Sequence, residues 1–222
     1  MNPTYSRAAA LALTCWLLAG CGGLRDAFLD REVPLAPPEG SALGQAQRQT
    51  VLAPLGEPDE LDARRFGSQS VEVAYYLDDY SDENQQTQYK FLALEFSQDR
   101  LTGYAFYDSG ASLPDFSETD HAKLVKSRST RSDAERVLGA PNGKALLPTT
   151  LNLPALDAGL GGAPFPISGV PEGAKEVWQY YRQNFDEAAR RRTARQTLSV
   201  FFDSKGVYLG DALLHELVTK AP

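Results

Sequence analysis

The chain has 222 residues, 42% of them hydrophobic and 23% charged, with 29 Asp and Glu against 22 Lys and Arg for a formal net charge of -7. That is an ordinary globular composition, long enough for one large core or two small ones, and its acidic balance disfavours a nucleic-acid partner, which needs a basic footprint. The only two cysteines are Cys15 and Cys21, so disulfide frameworks and thiolate metal sites are excluded beyond residue 21.

Arg7 precedes an apolar run from Ala8 to Ala19, which reads as a signal-peptide core because it is too short for a membrane helix of roughly 20 residues. The run closes on Leu18-Ala19-Gly20-Cys21, which resembles the bacterial lipobox. Small residues before the cysteine let the chain enter a narrow peptidase site, and the thiol accepts lipid. The resemblance implies that residues 1–20 are a lipoprotein signal peptide and that Cys21 is the lipid attachment point. Several acyl chains there hold firmly where one alone is marginal. Gly22 in place of Asp looks like the pattern that permits outer-membrane export, with the chain facing the periplasm. Thr14 makes Cys15 a poor competitor. Residues 21–40, interrupted by Pro and Gly, read as a lipidated tether; alternatively, Phe28 and Leu29 begin a short docked helix.

Beyond the tether the chain repeats itself. "LGEPDE" at Leu55 to Glu60 and "LGAPNG" at Leu138 to Gly143 share Leu-Gly-x-Pro, and the segments downstream of them match as well, as an internal repeat requires. "EVAYYL" (72–77) sets against "EVWQYY" (176–181). "LALEFSQDRL" (92–101) sets against "LSVFFDSKGV" (198–207) without a gap, so that Leu92, Leu94, Phe96 and Leu101 face Leu198, Val200, Phe202 and Val207. Apolar residues at every second position predict strands with one buried face, turning at residues 97–100 and 203–206.

Ahead of each Leu-Gly the spacing predicts a helix. In the first unit it covers Gln45 to Leu55, with Pro54 fraying its last turn. In the second, Thr130 caps, Asp133 stands three residues on, and Ala134, Val137 and Leu138 share a face. Gly139 suits the left-handed position that ends a helix, and Pro141 prevents its continuation. Another short helix is expected from Ser117, with Ala122, Leu124 and Val125 facing inward. The fold class is therefore α+β. Two tandem helix-helix-three-stranded antiparallel units span residues 41–110 and 111–222, with helices on one face of each sheet.

The run "LVKSRSTRSDAERVLGAP", then "VWQYY", then "LSVFFDSKGV" resembles the SmpA/OmlA, or BamE-like, envelope lipoproteins. Their fold is similar to one repeat of the beta-lactamase inhibitor protein, which also occurs as a tandem pair. The first unit departs from the pattern, with Ala74 in place of Trp178 and Ser97 in place of Asp203. The resemblance implies partner binding and, in some relatives, contact with anionic lipid, rather than an activity.

Groups able to do chemistry are sparse. His121 and His215 have no ligand spacing, and no nucleophile elbow or phosphate-cradling glycine loop occurs. "DDYSDEN" at 78–84 lacks the spacing of a calcium loop. No catalytic residue, metal site or cofactor is expected. The hairpin after Tyr181 carries Arg190, Arg191, Arg192 and Arg195. These can meet anionic head groups or an acidic partner, or simply confer solubility.

Residues 148–173, inserted before the second unit's first strand, mix Pro and Gly with Leu151, Leu153, Leu156, Phe165, Ile167 and Val170. The insertion either folds back onto its own sheet or presents Phe165, Ile167 and Val170 to a partner. The function expected from these features is non-catalytic: a periplasm-facing outer-membrane lipoprotein that binds protein partners in envelope assembly. The alternative is a membrane-tethered inhibitor that docks a loop into an envelope enzyme.

Overall fold

The computed structural model describes residues 33–34, 36–66, 69–81, 83, 85, 87–109, 116, 119–152, 167–186 and 191–217, with the backbone alone for Phe66, 183–186, 191–195 and 215–217. The signal peptide, Cys21 and most of the tether lie outside the described residues. In the unit that begins at Pro34, the elements are α1 (Arg48–Leu52), β1 (Glu60–Phe66), β2 (Gln69–Ser81), β3 (Thr87–Ser97), β4 (Arg100–Asp108), a 3-10 turn (His121–Lys123), α2 (Arg131–Leu138), β5 (Gly143–Leu146), β6 (Glu176–Asp186), β7 (Arg191–Phe202) and β8 (Tyr208–Leu217).

The strands form one eight-stranded antiparallel sheet in chain order, which overturns the expectation of two tandem helix-helix-three-stranded units. Among the described residues each half supplies one α-helix and then four strands. The halves are sewn together by β5, which pairs with β4 on one side and β6 on the other. Two glycines make that seam possible. A Cβ on Gly103 would lie 2.7 Å from that of Ala145, and one on Gly143 would lie 2.8 Å from the Tyr104 carbonyl oxygen. Both distances are below van der Waals contact, so only backbone fits where the two halves meet.

The helices are shorter than expected. The first covers Arg48–Leu52 instead of Gln45 to Leu55, because Gln47 at its N-cap supplies no side-chain bond and Pro54 stands just beyond its end. The helix expected from Ser117 reduces to the 3-10 turn, where Leu124 is buried but Val125 is 51% exposed. The second α-helix is as read. Thr130 and Asp133 form a reciprocal capping box, and Ala134 and Leu138 are buried. The Thr130 backbone N–H and the Arg136 guanidinium hold the Asp133 carboxyl below the usual carboxylate range.

Leu-Gly-x-Pro is a stop used twice. Gly56 and Gly139 take φ of 75° and 78°, and their N–H groups donate to the carbonyls of Leu52 and Glu135 at 3.0 and 2.9 Å. The next strand then secures each stop. The Tyr76 hydroxyl donates to the Gly56 carbonyl at 3.0 Å, and that of Tyr180, its counterpart in the second half, donates to the Gly139 carbonyl at 3.3 Å. A second device also recurs. The first residue of each α-helix is an arginine that pairs with a β2 or β6 glutamate, Arg48 with Glu72 and Arg131 with Glu176. Each guanidinium also stands over a phenylalanine, Phe96 at 5.9 Å and Phe202 at 6.0 Å.

Alternation sends these residues to the face that carries the helices. There Trp178, Tyr180, Leu198, Val200, Phe202 and Tyr208 pack with Leu124, Ala134 and Leu138. Tyr208, rather than Val207, occupies the position of Leu101: the pairs are Phe96 with Leu101 and Phe202 with Tyr208. The second turn is one residue longer than the gapless alignment allowed.

The glycine seam is testable. Gly143→Val is expected to lower stability by roughly 1–3 kcal/mol through forced displacement of the β4 backbone, measured by urea denaturation monitored by circular dichroism. Wild-type stability in this variant would mean that the two halves do not depend on close approach.

Candidate functional site

The sheet face away from the helices receives the two ends of the insertion. On the first half Val73, Tyr75, Phe91, Ala93, Ala105 and Tyr107 form a buried cluster that Leu151 joins at 2% exposure. On the second half Ala145, Val177 and Phe201 pack with Leu147, Ile167, Ala174 and Ala212. Small residues create the room. A Cβ on Gly103 would come within 3.0 Å of Leu151 Cδ1, and one on Gly169 within 3.1 Å of Ala212 Cβ.

Between these apolar contacts sits a fully buried acid. Glu95 on β3 is 0% exposed. Its Oε1 accepts from the hydroxyls of Thr102 (3.1 Å) and Thr149 (3.0 Å), and its Oε2 accepts from the Thr150 backbone N–H (2.7 Å) and hydroxyl (2.6 Å). Beside it Arg64 on β1 donates to Asp62 at 2.7 Å, to the Tyr75 hydroxyl at 2.7 Å and to the Thr150 carbonyl at 3.4 Å. The first residues of the insertion are thus held from both sides by polar groups that are themselves satisfied. Burial pushes the Tyr75 phenol up to about 12, against the opposing pull of Arg64. Burial, then the charges of Glu135 and Glu176, raises Tyr104 to about 12 as well.

Each sequence-predicted residue has its own setting. Ile167 is half-buried against the chain's own sheet, while Val170 is 44% exposed; Phe165 lies outside the described residues. Arg191, Arg192 and Arg195 stand in β7 opposite Asp186, Phe185 and Gln183, described by backbone alone, and Arg190 lies outside the described residues, as does Cys21. His121 Nδ1 pairs with Asp211 Oδ2 at 2.9 Å, and Asp211 also accepts from the Tyr208 hydroxyl. Among the described residues no three His, Cys, Asp or Glu side chains gather as metal ligands. An open cleft beside α1 is lined by Gln47–Gln49 and Gln98–Arg100. Two of its cations are engaged, Arg48 by Glu72 and Arg100 by the Gln45 carbonyl.

Sequence reasoning missed Glu95. Its signal was a single acid inside the apolar run Phe91–Phe96, and its partners were two adjacent threonines at 149–150. In that arrangement the carboxylate oxygens are taken up by the threonine hydroxyls and the Thr150 N–H. It is a seat that holds a segment.

No protein-family model matches the chain, and no curated protein does, so the resemblance to the SmpA/OmlA lipoproteins rests on the quoted motifs. Among solved structures, a Streptococcus mutans protein provisionally described as a beta-lactamase inhibitor protein is similar at 11% identity. The match covers 86% of this chain and 94% of that one, with a TM-score of 0.40. This is a weak neighbour, too remote to speak to function.

The packing of the insertion predicts unequal roles for Ile167 and Val170. Ile167→Ala is expected to cost roughly 1–2 kcal/mol in urea denaturation, as a partly buried aliphatic should, whereas Val170→Ala stays within about 0.5 kcal/mol. Equal, negligible effects would free Ile167 to serve a partner. The buried phenols predict a pH dependence. An unfolded phenol ionises near 10, while folded Tyr75 and Tyr104 keep their protons to about 12. Their contribution to stability is therefore full below pH 10 and lost as pH rises from 10 toward 12. Denaturation curves at pH 9 to 11.5, paired with absorbance of tyrosinate, check the sign.

Proposed function

We propose that this chain is a lipid-anchored protein of the bacterial outer membrane, facing the periplasm, that acts by binding protein partners in envelope assembly rather than by catalysis. The observation that carries the anchor is Leu18-Ala19-Gly20-Cys21 at the end of the apolar run from Ala8. A thiol preceded by small residues at that place is what a lipoprotein peptidase and acyltransferase require, and the attached chains supply membrane affinity.

The binding reading is supported by the sheet. β1 and β8 are its outermost strands, each with one hydrogen-bonded neighbour in the sheet, and each carries an exposed leucine, Leu61 at 51% and Leu214 at 45%. Open strand edges offer backbone donors and acceptors to an added strand, and exposed side chains beside them select among candidates. Arg190, Arg191, Arg192 and Arg195 add a basic hairpin suited to anionic lipid or an acidic partner. The inhibitor alternative needs a loop free to enter a cleft; Thr149, Thr150, Leu151 and Ile167, at the described ends of the insertion, are held on the chain's own sheet.

Substituting Cys21→Ala in the natural host should shift the protein from the membrane to the soluble fraction and remove the mass increment of acylation. Retention of both would refute the anchor. Crosslinking in intact cells from 148–173 and from the arginine hairpin would capture the partner directly.

A further inference from the structure

The two ends of the insertion are held by different chemistry, and the difference lies at equivalent positions of the sheet. Glu95 pairs with Val73 and precedes Phe96; Phe201 pairs with Val177 and precedes Phe202. Both are 0% exposed on the face away from the helices. The Phe201 side chain offers only apolar contact, to the cluster that Leu147, Ile167 and Ala174 pack against, with backbone bonds from the Leu147 N–H to the Lys175 carbonyl and from the Lys175 N–H to the Phe202 carbonyl beside it. Glu95 holds Thr149 and Thr150 through three hydrogen bonds to its carboxylate.

These grips respond differently to opening. Lifting a segment off Phe201 exposes apolar surface to water with no compensation. Lifting one off Glu95 breaks charge-assisted bonds but lets a carboxylate recover the hydration that burial had removed, so opening is offset where it begins. The neighbouring groups fit the same movement. Arg64 reaches the Thr150 carbonyl while anchored by Asp62 and Tyr75, so it stays in place when Thr150 leaves. Thr102, on β4, stays on the carboxylate.

We propose that Glu95 is a latch: its bonds to Thr149 and Thr150 clamp residues 149–151 onto the sheet, and their release lifts this stretch alone, withdrawing Leu151 from the buried cluster that includes Val73, Tyr75, Ala93 and Ala105 while the strands stay paired. The device places a coverable apolar patch on the first half of the sheet and none on the second, where Phe201 keeps its grip. It is independent of the lipid anchor.

Residue-resolved amide exchange on the whole chain tests the latch. In the unaltered protein the Thr150 amide, which donates to Glu95, should exchange through an opening that leaves the β2–β3 and β6–β7 amides protected; exchange of Thr150 only together with those ladders overturns the proposal. In Glu95→Gln, Thr150 and Leu151 should exchange at least about tenfold faster while β6–β7 amides such as Tyr180 and Val200 keep their rates. Unchanged exchange at Thr150, or acceleration spread evenly over the sheet, would show an ordinary core residue. Should Glu95→Gln fail to fold, the single Thr150→Val variant keeps the carboxylate, the backbone bond of residue 150 to it and the Thr149 hydroxyl that accepts from the Leu151 amide, and removes one donor; the same outcomes then apply to the amides of residues 150 and 151.

Discussion

The structure depends on what is missing from two positions. At Gly103 and Gly143 any side chain would stand inside the neighbouring strand, 2.7 Å from Ala145 Cβ or 2.8 Å from the Tyr104 carbonyl oxygen. Backbone hydrogen bonding across β4, β5 and β6 requires that approach. With it, two halves that could each have closed on a separate core share one sheet, and a face that would have been two small surfaces becomes one broad one. The insertion has its seat on that face because Gly103 leaves room there: Leu151 lies against Gly103 from the same side on which Ala145 faces it.

On the helical face the two halves are close to identical in their physics. Each begins with an arginine that satisfies a glutamate and covers a phenylalanine. Each has a positive-φ glycine, directly after the second helix and four residues past the end of the first, whose carbonyl is taken up by a tyrosine. A neutral hydrogen bond of that kind contributes about 1 kcal/mol, so its value is chiefly in fixing where the chain leaves the helix. On the opposite face the halves diverge, Glu95 against Phe201. Sameness on one face and difference on the other separates what the repeat does for folding from what each copy does for itself.

The features legible in the sequence are those whose signals are local. The capping box of Thr130 and Asp133, the stop at Gly139 and the alternating runs around Tyr76, Phe96, Tyr180 and Phe202 are all set by neighbours within a few residues, and they read correctly; the first helix stopped at Leu52, short of its Leu-Gly pair. β1 and β5 were not legible in this way. "ELDARRF" places charges on both faces, because an edge strand has solvent on one side and Arg64 is satisfied by Asp62 and Tyr75. "GKAL" comes directly after Pro141 and Asn142 and is too short for a period to show. The union of the halves was hidden for the same reason, since it runs through β5. The one-residue offset at Tyr208 arose from a turn of different length, which a gapless alignment cannot see. Glu95 was visible as an acid in an apolar run, but its meaning depended on Thr149 and Thr150, 54 and 55 residues away along the chain.

The insertion's two attachments bear on function through the surface they cover. An apolar sheet face is an aggregation hazard if left bare and useless for recognition if sealed permanently. Glu95 and Phe201 divide that conflict between the halves. The aromatic anchor seals its part by the hydrophobic effect, which has no favourable open state in water. The carboxylate anchor seals its part by bonds that water can replace, so the cost of uncovering Val73, Tyr75 and Ala93 is reduced by what Glu95 gains. On the function proposed above, a patch uncovered at one end from a charged hinge point and the outermost strands β1 and β8 would be two independent places to engage another chain.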